Sequence, residues 1–567
     1  MVSNAFPVLF YFLLATWGLI NLLQGIFTEL NYDEAYYWMF SKHLDWGYFD
    51  QPPMIAWFIR IGTLFLSHEI GVRIITVFAQ LIVLILLWKM TGEKQPTPNK
   101  ILLFFGIAGS VVMFVTYGFI ATPDSPLLMF IALFLYSYQK FLKKESLGHT
   151  ILLALAMTGM AYSKYHSILF VLFIVLSNLS LFRSKWFWMA AGLTLVLILP
   201  HLFWQYQNDF PSFTYQLVSR LRPFEWKYVL DYWPNQFFSF NPLFLGLSLY
   251  LIWRFRPLDT FEKGIYYVLA GFLLFFFVSA LRGNVEPHWT ISAAPGMIII
   301  VYRRSINYTS IRKYVYRFLF PTIAIILLLR VALVIPFLPV NMKFHGEKAW
   351  AQKMQSIAGG RPVLFHNSYQ KPSIYTFYTG QEASSLSSID YRKTQYDLWN
   401  WDTSFYGKPV LLVTQNNDPY STRYIFPNGK KVYLHPADDF FAVNQLKVEI
   451  PQAFPGLMHV GDTISFQGSL FNPYTYPLPF DHPAFRVEFE LLFLKNGNEM
   501  VLAPLSMSPS IPGLQPKESR SLAFTFQVPD VCTGKYLIGV VMKQGVIQET
   551  MISKGQKVMV VEKGYDQ

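Results

Sequence analysis

The sequence predicts a polytopic α-helical membrane protein that continues into a soluble, strand-rich C-terminal region. Hydrophobic residues make up 53% of the 567 residues and charged residues only 14%, a balance typical of membrane proteins. Long apolar runs recur up to Leu338, and short alternating segments separated by turn residues follow them. The single cysteine, Cys532, excludes an intramolecular disulfide and argues against a thiolate metal site.

The apolar runs predict about eleven membrane spans, or up to about 13 if merged runs are divided, because a span needs roughly 20 apolar residues. The first run lacks a basic leader and a small-residue cleavage site, which predicts a retained helix. The predicted runs are Pro7–Phe27, Val72–Trp88, Ile101–Phe119, Pro126–Phe141, Ile151–Tyr162, Ile168–Phe182, Trp186–Phe203, Phe237–Trp253, Ile265–Leu281, Ile291–Tyr302 and Leu319–Leu338.

The loop charges predict the orientation of these spans. The formal net charge of +12 comes mostly from short basic loops after the even-numbered runs, which places those loops in the cytoplasm and makes a nucleic-acid partner unnecessary. The cytoplasmic cations are Lys89, Lys94, Lys100, Lys140, Lys143, Lys144, Arg183, Lys185, Arg254, Arg256, Lys263, Arg303, Arg304, Arg312, Lys313 and Arg317. The opposite side collects Asp33, Glu34, Asp50, Asp124, Lys164, His166 and Glu286.

The first external loop, residues 29–71, is predicted to form the floor of an active site. Asp33 and Glu34 follow the first run among tyrosines, where partial desolvation would raise a carboxylate's basicity. A catalytic pair and an ordinary helix cap are equally consistent with this pattern.

The same loop ends in Tyr48-Phe49-Asp50-Gln51-Pro52-Pro53, whose paired prolines restrict the backbone around Asp50 and Gln51. Asp50 is a candidate metal ligand or a hydrogen-bond partner for a sugar hydroxyl, and Tyr48 is a candidate substrate contact. The alternative is that the prolines only begin the next helix.

Three further external segments carry chemistry-bearing residues. Asp124 stands between two prolines, and its alternatives are a helix cap and a catalytic carboxylate. Lys164 and His166 interrupt two apolar runs, where a lysine suits a phosphate unless it only reaches the interface. The turn at residues 282–289 adds Arg282, Glu286, His288 and Trp289 as phosphate, metal or substrate contacts, or as ordinary polar surface.

Two longer regions complete the organisation. Residues 204–236, with Arg220, Trp226 and Trp233, are predicted to form either a lid on the membrane surface or a connector with aromatic anchors. Residues 341–425 predict a small α/β domain after the membrane domain, residues 1–340. Residues 426–567 predict a β-sandwich of immunoglobulin type, with turns such as Asn496-Gly497. No glycine-rich nucleotide loop, HExxH or CxxC motif occurs, which argues against a nucleotide cofactor.

Taken together, Asp33-Glu34, the Tyr48–Pro53 element, Thr122-Pro123-Asp124, Ser163-Lys164 and the Glu286–Trp289 turn resemble the GT-C membrane glycosyltransferases. The resemblance is to the bacterial branch of the dolichyl-phosphate-mannose–protein mannosyltransferase family (glycosyltransferase family 39), which includes the lipid A aminoarabinose transferase. It covers roughly residues 5–340, and the Gln395–Trp399 segment also looks like one in bacterial members.

This resemblance implies particular roles. Asp33 matches the family's acidic residue in the first external loop, with Glu34 and Asp124 as the other catalytic carboxylates. Lys164 matches a lysine near the donor phosphate, which Gln51 and Arg282 are also expected to contact. Asp50 matches an acidic position associated with a metal, so a divalent cation (Zn²⁺, Mg²⁺ or Mn²⁺) is one expectation, with His288 as a second ligand. Tyr48, His166, Glu286 and Trp289 are the expected substrate contacts.

The resulting expectation is an inverting transferase in the plasma (inner) membrane, with its C-terminal region outside the cytoplasm. It would take a sugar from a polyprenyl-phosphate donor to a lipid, glycan or protein, in contact with membrane lipids and with no nucleic acid. Gln51 departs from the lysine of the aminoarabinose enzyme, so donor and acceptor could both differ. The alternatives are a flippase or transporter of lipid-linked sugars and a non-catalytic membrane scaffold.

Overall fold

The computed structural model describes residues 8–220, 222–337, 344–389, 391–399, 401–417, 421–426, 429–495 and 499–562. The chain divides into two compact units, Met1–Glu347 and Lys348–Gln567. The domain boundary predicted at residue 340 and the predicted Asn496-Gly497 turn lie outside the described residues.

The described part of the first unit is helical. Its α-helices are α1 (Val8–Phe27), α2 (Tyr32–Lys42), α3 (Met54–Phe65), α4 (His68–Thr91), α5 (Pro98–Gly109), α6 (Val112–Thr116), α7 (Asp124–Lys143), α8 (Leu147–Ser163), α9 (Ser167–Ser177), α10 (Lys185–Gln207), α11 (Pro211–Thr214), α12 (Trp226–Phe240), α13 (Pro242–Arg254), α14 (Thr260–Ser279), α15 (Ala294–Asn307) and α16 (Thr309–Val334). Short 3-10 helices occur at Leu179–Arg183, Ala280–Arg282 and Pro287–Ala293, and a π-helical turn at Tyr215–Ser219.

Six helices in the described residues are long and apolar enough to cross a membrane: α1, α4, α7, α10, α14 and α16. The pair α12 and α13, bent by 98° at a short break, raises the number to seven if it counts as one span. By length and composition alone, fewer described helices qualify as membrane spans than the predicted number of about eleven. Several predicted apolar runs form helices that are too short or that are divided in two. Ile101–Phe119, for example, is broken near Ser110 into α5 and α6.

The start of α2 determines where the first external loop points. Asn31 is its N-cap, with its side chain accepting a hydrogen bond from the Asp33 N–H at 3.0 Å. Glu34 completes a capping box by accepting from the Asn31 N–H at 3.0 Å. Asp33 therefore lies in the first turn of α2 and is not its cap.

The second unit begins with a mixed α/β region. Its helices are α17 (Glu347–Ala358), which starts at the boundary, α18 (Gln370–Thr379) and α19 (Gln395–Trp399), and its strands are β1 (Val363–His366), β2 (Ala383–Leu386), β3 (Lys408–Thr414), β4 (Thr422–Ile425) and β5 (Lys431–Phe440). The sheet order is β2-β1-β3-β5-β4, with β1 parallel to β2 and β3 and with β5 antiparallel to β3 and β4. The boundary predicted at residue 425 thus falls between two paired strands of one sheet.

The rest of the second unit is rich in strands: β6 (Lys447–Glu449), β7 (Leu457–His459), β8 (Thr463–Phe471), β9 (Leu478–Pro479), β10 (Val487–Lys495), β11 (Glu499–Pro504), β12 (Ser506–Ser508), β13 (Gly513–Leu514), β14 (Ser519–Gln527), β15 (Gly534–Gln544), β16 (Ile547–Met551) and β17 (Gln556–Val561). One sheet has the order β11-β10-β15-β17-β7, with β16 also on β15, and another has the order β12-β14-β8-β6. Phe493 and Val540 of the first sheet join Leu470 and Phe524 of the second in one hydrophobic cluster. The strand-rich region is therefore present, and its immunoglobulin type stays a prediction.

Candidate active site

Asp124 and Lys164 form a buried ion pair, although 40 residues separate them. Asp124 begins α7, directly after Pro123, and Lys164 is the first residue after α8. The Lys164 Nζ lies 2.8 Å from both carboxylate oxygens of Asp124. The Lys164 and Asp124 side chains are only 9% and 3% exposed, so each charge depends on the other for its compensation.

The external turn that contains His288 packs against this pair. The His288 Nε2 lies 3.9 Å from an oxygen of Asp124. Burial, followed by the positive charges of Lys164, His166 and Arg220, lowers the pKa of His288 well below its ordinary value. His288 is therefore a neutral imidazole at physiological pH, with one N–H donor and one acceptor.

Arg220 brings a further cation to the same place. Its guanidinium group lies over the Trp289 ring at 4.6 Å and reaches to 3.7 Å from a carboxylate oxygen of Glu286. The segment is held there by the Arg222 N–H, which donates to the Arg282 carbonyl at 3.0 Å. Arg220 and Arg222 therefore both contact the 282–289 turn, and the lid stays a prediction.

Asp33 is brought toward this neighbourhood by Glu34, the next residue in the chain. The Glu34 carboxylate accepts a hydrogen bond from the Ala121 N–H at 2.9 Å, three residues before Asp124. This contact joins the first turn of α2 to the segment that leads into α7. Asp33 is half-buried, whereas Asp124 is buried.

Glu34, predicted as a catalytic carboxylate, has a full set of protein partners. Its fully buried side chain accepts hydrogen bonds from the Arg73 guanidinium at 2.7 and 2.5 Å. It also accepts from the Ala121 N–H at 2.9 Å, three residues before Asp124. These contacts favour a structural role, in which Glu34 and Arg73 join α2 and α4 to the chain that leads into α7.

Tyr48, predicted as a substrate contact, also has protein partners. It is fully buried, stacks on Phe40 at 4.1 Å between ring centroids, and donates its hydroxyl hydrogen toward the Phe40 carbonyl at 3.0 Å. Gln51 is half-buried, and its carbonyl accepts from the Tyr48 N–H at 3.0 Å. The buried Asp50 lies close enough to Tyr165 for its charge to act on that hydroxyl.

His166, Arg282 and the predicted metal ligands are the remaining site residues expected from the sequence. His166 lies beside the rings of Phe272 and Phe276, with centroids 6.1 and 5.8 Å away, and its Nε2 lies 3.5 Å from the Ser292 hydroxyl. Arg282 is exposed, and its carbonyl accepts the hydrogen bond from the Arg222 N–H. Among the described residues, no group of three or more His, Cys, Asp or Glu side chains is arranged to hold a metal ion. A metal on Asp50 and His288 thus stays a prediction without a supporting ligand set.

The sequence did not single out Arg220 or Arg73 as site residues. Arg220 lay within the predicted lid, and that interpretation was the only signal for it. Arg73 lay inside a predicted apolar run, where a single arginine has no periodic signature of a site. What the structure assembles is one buried ion pair, a neutral histidine, a more exposed arginine and two further carboxylates.

Comparison with known proteins finds a family match for the segment that contains the Asp124 and Lys164 pair. Residues 50–204 match the profile of the dolichyl-phosphate-mannose-protein mannosyltransferase family, and they include Asp50, Asp124 and Lys164. The chain is 26% identical over 300 residues to the lipid A galacturonosyltransferase RgtD of Rhizobium johnstonii, which covers 48% of this chain and 60% of RgtD. It is 25% identical over 272 residues to an uncharacterized protein of Aquifex aeolicus, covering 44% of this chain and 52% of that one. The chain thus spans between half and two thirds of the length of these curated relatives.

The fold has a solved counterpart. The crystal structure of ArnT from Cupriavidus metallidurans in the apo state matches with a TM-score of 0.54 at 14% identity, covering 75% of this chain and 97% of ArnT. The structure of ArnT bound to undecaprenyl phosphate matches with a TM-score of 0.53 and the same coverage. At this identity the match establishes the fold. The resemblance predicted from the sequence is confirmed to this extent: residues 50–204 match the dolichyl-phosphate-mannose-protein mannosyltransferase model, and the chain has the fold of ArnT.

Proposed function

We propose that the protein transfers a sugar from a polyprenyl-phosphate donor to a hydroxyl of a lipid, glycan or protein acceptor, with inversion at the anomeric carbon. The observation that carries this proposal is the gathering of Asp124, Lys164, His288 and Arg220 around one site in a membrane-type fold, with Asp33 next to the Glu34 carboxylate that binds the Ala121 N–H. The name of RgtD and the undecaprenyl phosphate bound to ArnT support the class of donor and reaction.

Lys164 and Arg220 are the proposed phosphate-binding groups. Arg220 is the more adaptable of the two, because its side chain is 29% exposed and its contact with Glu286 is long, at 3.7 Å. A donor phosphate would take the place of that contact and gain a bidentate partner. Lys164, held by Asp124, supplies a fixed positive charge where the leaving phosphate gains negative charge in the transition state.

Asp33 is the proposed general base. Its half-buried carboxylate would take the proton of the acceptor hydroxyl as that oxygen bonds to the anomeric carbon on the face opposite the phosphate. The bond between the anomeric carbon and the phosphate oxygen breaks at the same time, and the polyprenyl phosphate leaves with the bonding electrons. The neutral His288 is placed to orient Asp124 or a sugar hydroxyl, and Glu286, Trp289 and His166 border the sugar.

The proposal assigns no step to a metal, because the described donor set does not fit one. It does include the topology predicted from the loop cations. In that topology the shorter helices α8 and α9 are counted among about eleven spans, and α3 belongs to the first external loop. The site then faces the extracytoplasmic side of the plasma membrane, together with an immunoglobulin-like C-terminal domain.

Transfer in proteoliposomes tests the proposal directly. The purified chain would be reconstituted with a labelled polyprenyl-phosphate sugar and a membrane extract as the source of acceptor. Replacing Asp33 by Asn should lower transfer by about 10²- to 10⁴-fold, the usual contribution of a general base. The matched control is Asp209→Asn, a carboxylate exposed on the loop after α10, which should transfer like the unmodified chain.

Each other outcome of the transfer assay would favour a different base or a different function. Undiminished transfer by the Asp33→Asn protein would overturn the assigned base. Movement of the labelled donor across the bilayer without a labelled product would favour the flippase. A chain that neither transfers nor moves the label, whatever its substitutions, would favour the scaffold.

A further inference from the structure

The α/β sheet of the second unit has the topology of a ligand-binding sheet. The chain leaves β1 through α18 to β2 on one side, and then crosses to β3 on the other side of β1. All three strands are parallel, so their carboxyl ends lie at one edge. In open α/β sheets, ligands bind outside the carboxyl ends of strands where the direction of winding reverses. Here that position lies between β1 and β3.

The last residue of β1 has buried nitrogen atoms that lack partners. His366 is 6% exposed, and within the described residues neither ring nitrogen has a hydrogen-bond partner. Burial and the charge of Lys430 lower the pKa of His366 to about 4, so the ring is neutral and offers one donor and one acceptor. Buried polar groups without partners are rare and costly in native proteins, which points to a ligand with both donors and acceptors.

The helix that follows β1 adds positive potential at the same edge. α18 begins four residues after His366, and Ser368 accepts a hydrogen bond from the Lys371 N–H at 3.1 Å in its first turn. The Arg392 guanidinium lies over the Tyr369 ring at 4.6 Å, and the Lys371 ammonium lies over Trp350 at 4.3 Å. A helix N-terminus flanked by two cations favours an oxyanion.

The end of β3 is polar as well. The Thr414 hydroxyl donates to the Asn416 carbonyl at 3.0 Å, and the His435 Nε2 lies 3.1 Å from the same hydroxyl. On the other side of β1, the Asn367 amide donates to the Ser388 hydroxyl at 2.8 Å. Hydroxyl, amide and imidazole groups thus border both sides of the β1 strand end, as a ligand rich in hydroxyl groups requires.

We infer that this sheet edge binds an acidic saccharide, with its carboxylate or phosphate at the N-terminus of α18 and its hydroxyl groups on His366 and the end of β3. The inference goes beyond the transfer reaction, because it assigns a second sugar site to the C-terminal unit.

Calorimetric titration of the full-length protein in detergent tests the inference. Galacturonate and glucose 1-phosphate serve as the acidic probes and galactose as the neutral one. His366→Phe should weaken binding of the acidic probe by about tenfold or more, as expected for loss of hydrogen bonds at a charged ligand. His459→Gln, at another histidine with a buried Nε2, is the matched control and should bind normally. Lys164→Ala should abolish transfer and leave this binding unchanged, which separates the two sites.

Hydrogen exchange of the unmodified chain makes the test independent of whether the His366 variant folds. The acidic probe should protect the amides of residues 363–372 and 410–417. Binding of one acidic probe and not the other would identify the preferred oxyanion and support the site. Equal binding of galactose, protection confined to the first unit, loss of binding in Lys164→Ala, or no binding of either acid would each overturn the inference.

Discussion

The charged side chains of the first unit differ in how deeply they are buried and how closely they are paired. Glu34 and Arg73 are fully buried and paired, and Arg73 also donates to the Gly25 and Thr28 carbonyls at 3.0 and 2.6 Å. Arg220 and Glu286 are partly exposed and 3.7 Å apart. The first pair has no room to exchange partners, whereas the second can give way to a ligand. Glu34 and its neighbour Asp33 differ in the same way, because Glu34 is fully buried and Asp33 is only half-buried.

Replacing Glu34 by Ala should therefore destabilise the protein. Removal of one partner leaves the Arg73 charge buried without its carboxylate, which costs about 3–5 kcal/mol. Thermal unfolding of the detergent-solubilised chain, followed by tryptophan fluorescence, would measure the loss. Asp33→Asn is the control and should unfold close to the unmodified chain. Equal stability of the Glu34→Ala protein would contradict a structural role for Glu34.

The titration of His366 predicts that the stability of the second unit depends on pH. Its pKa is lowered from 6.5 to about 4 in the folded state, so between these values only the unfolded chain takes up the proton. Stability is thus unaffected above about pH 6.5 and falls as the pH drops toward 4, by about 3 kcal/mol in total. Native-state hydrogen exchange of β1 and β3, corrected for the intrinsic rate, would measure this. The loss should be smaller in His366→Phe, and an unchanged slope would exclude His366 as its source.

At the scale of elements, the loop between α2 and α3 is positioned by the C-terminal part of α10. The Trp204 indole N–H donates to Asp45 at 2.8 Å, and the His201 Nδ1 lies 2.7 Å from the Trp46 carbonyl. Gly47 lies against the same indole, where a Cβ atom would come within 2.4 Å of the ring. The close approach of loop and helix therefore requires glycine.

Gly47→Ala should displace this loop and the Tyr48–Asp50 segment next to it. A displacement of about 1 Å near a reacting group lowers turnover by about tenfold to a hundredfold, and transfer in proteoliposomes would measure it. Gly192→Ala, in α10 but with open space around a Cβ atom, should keep full activity. Normal transfer by Gly47→Ala would show that the loop position does not affect the reaction.

The same elements show what a sequence predicts well. Asp124 and Lys164 could be predicted as site candidates from the local sequence. Each charged residue lies at the end of an apolar run, beside proline or a polar turn. Arg220 could not be assigned this way, since its place depends on contacts of Arg220 and Arg222 with the 282–289 turn, which lies far away in the sequence. Asp33 was a candidate cap of α2 in the sequence, whereas the structure has Asn31 as the cap. Asn and Asp cap helices equally well, so the residue types alone did not distinguish the two positions. Breaks within apolar runs, as between α5 and α6, leave no trace in hydropathy.

For the whole molecule, the sorting of charges remains the main guide to topology. The basic loops include the connection of α7 to α8, and the site residues occupy the opposite ends of the helices. Asp124 at the start of α7 and Lys164 after α8 show this, because both lie one helix length from the exposed Lys143 and Lys144. The positive-inside rule then predicts that the site faces away from the cytoplasm, and the proposed odd number of spans predicts the same side for the second unit.

Cys532 allows this arrangement to be tested with the natural sequence. It is the only cysteine of the chain and is exposed, so a membrane-impermeant maleimide should label it in spheroplasts without permeabilisation. A Cys532→Ser chain carrying Glu145→Cys, at an exposed position of the α7–α8 connection, should be labelled only after permeabilisation. This second site removes no loop cation and so leaves the topology signal intact. Labelling of Cys532 only after permeabilisation would place the second unit in the cytoplasm and require an even number of spans. Accessible Glu145→Cys in sealed spheroplasts would reverse the orientation of the first unit and contradict an extracytoplasmic transfer site.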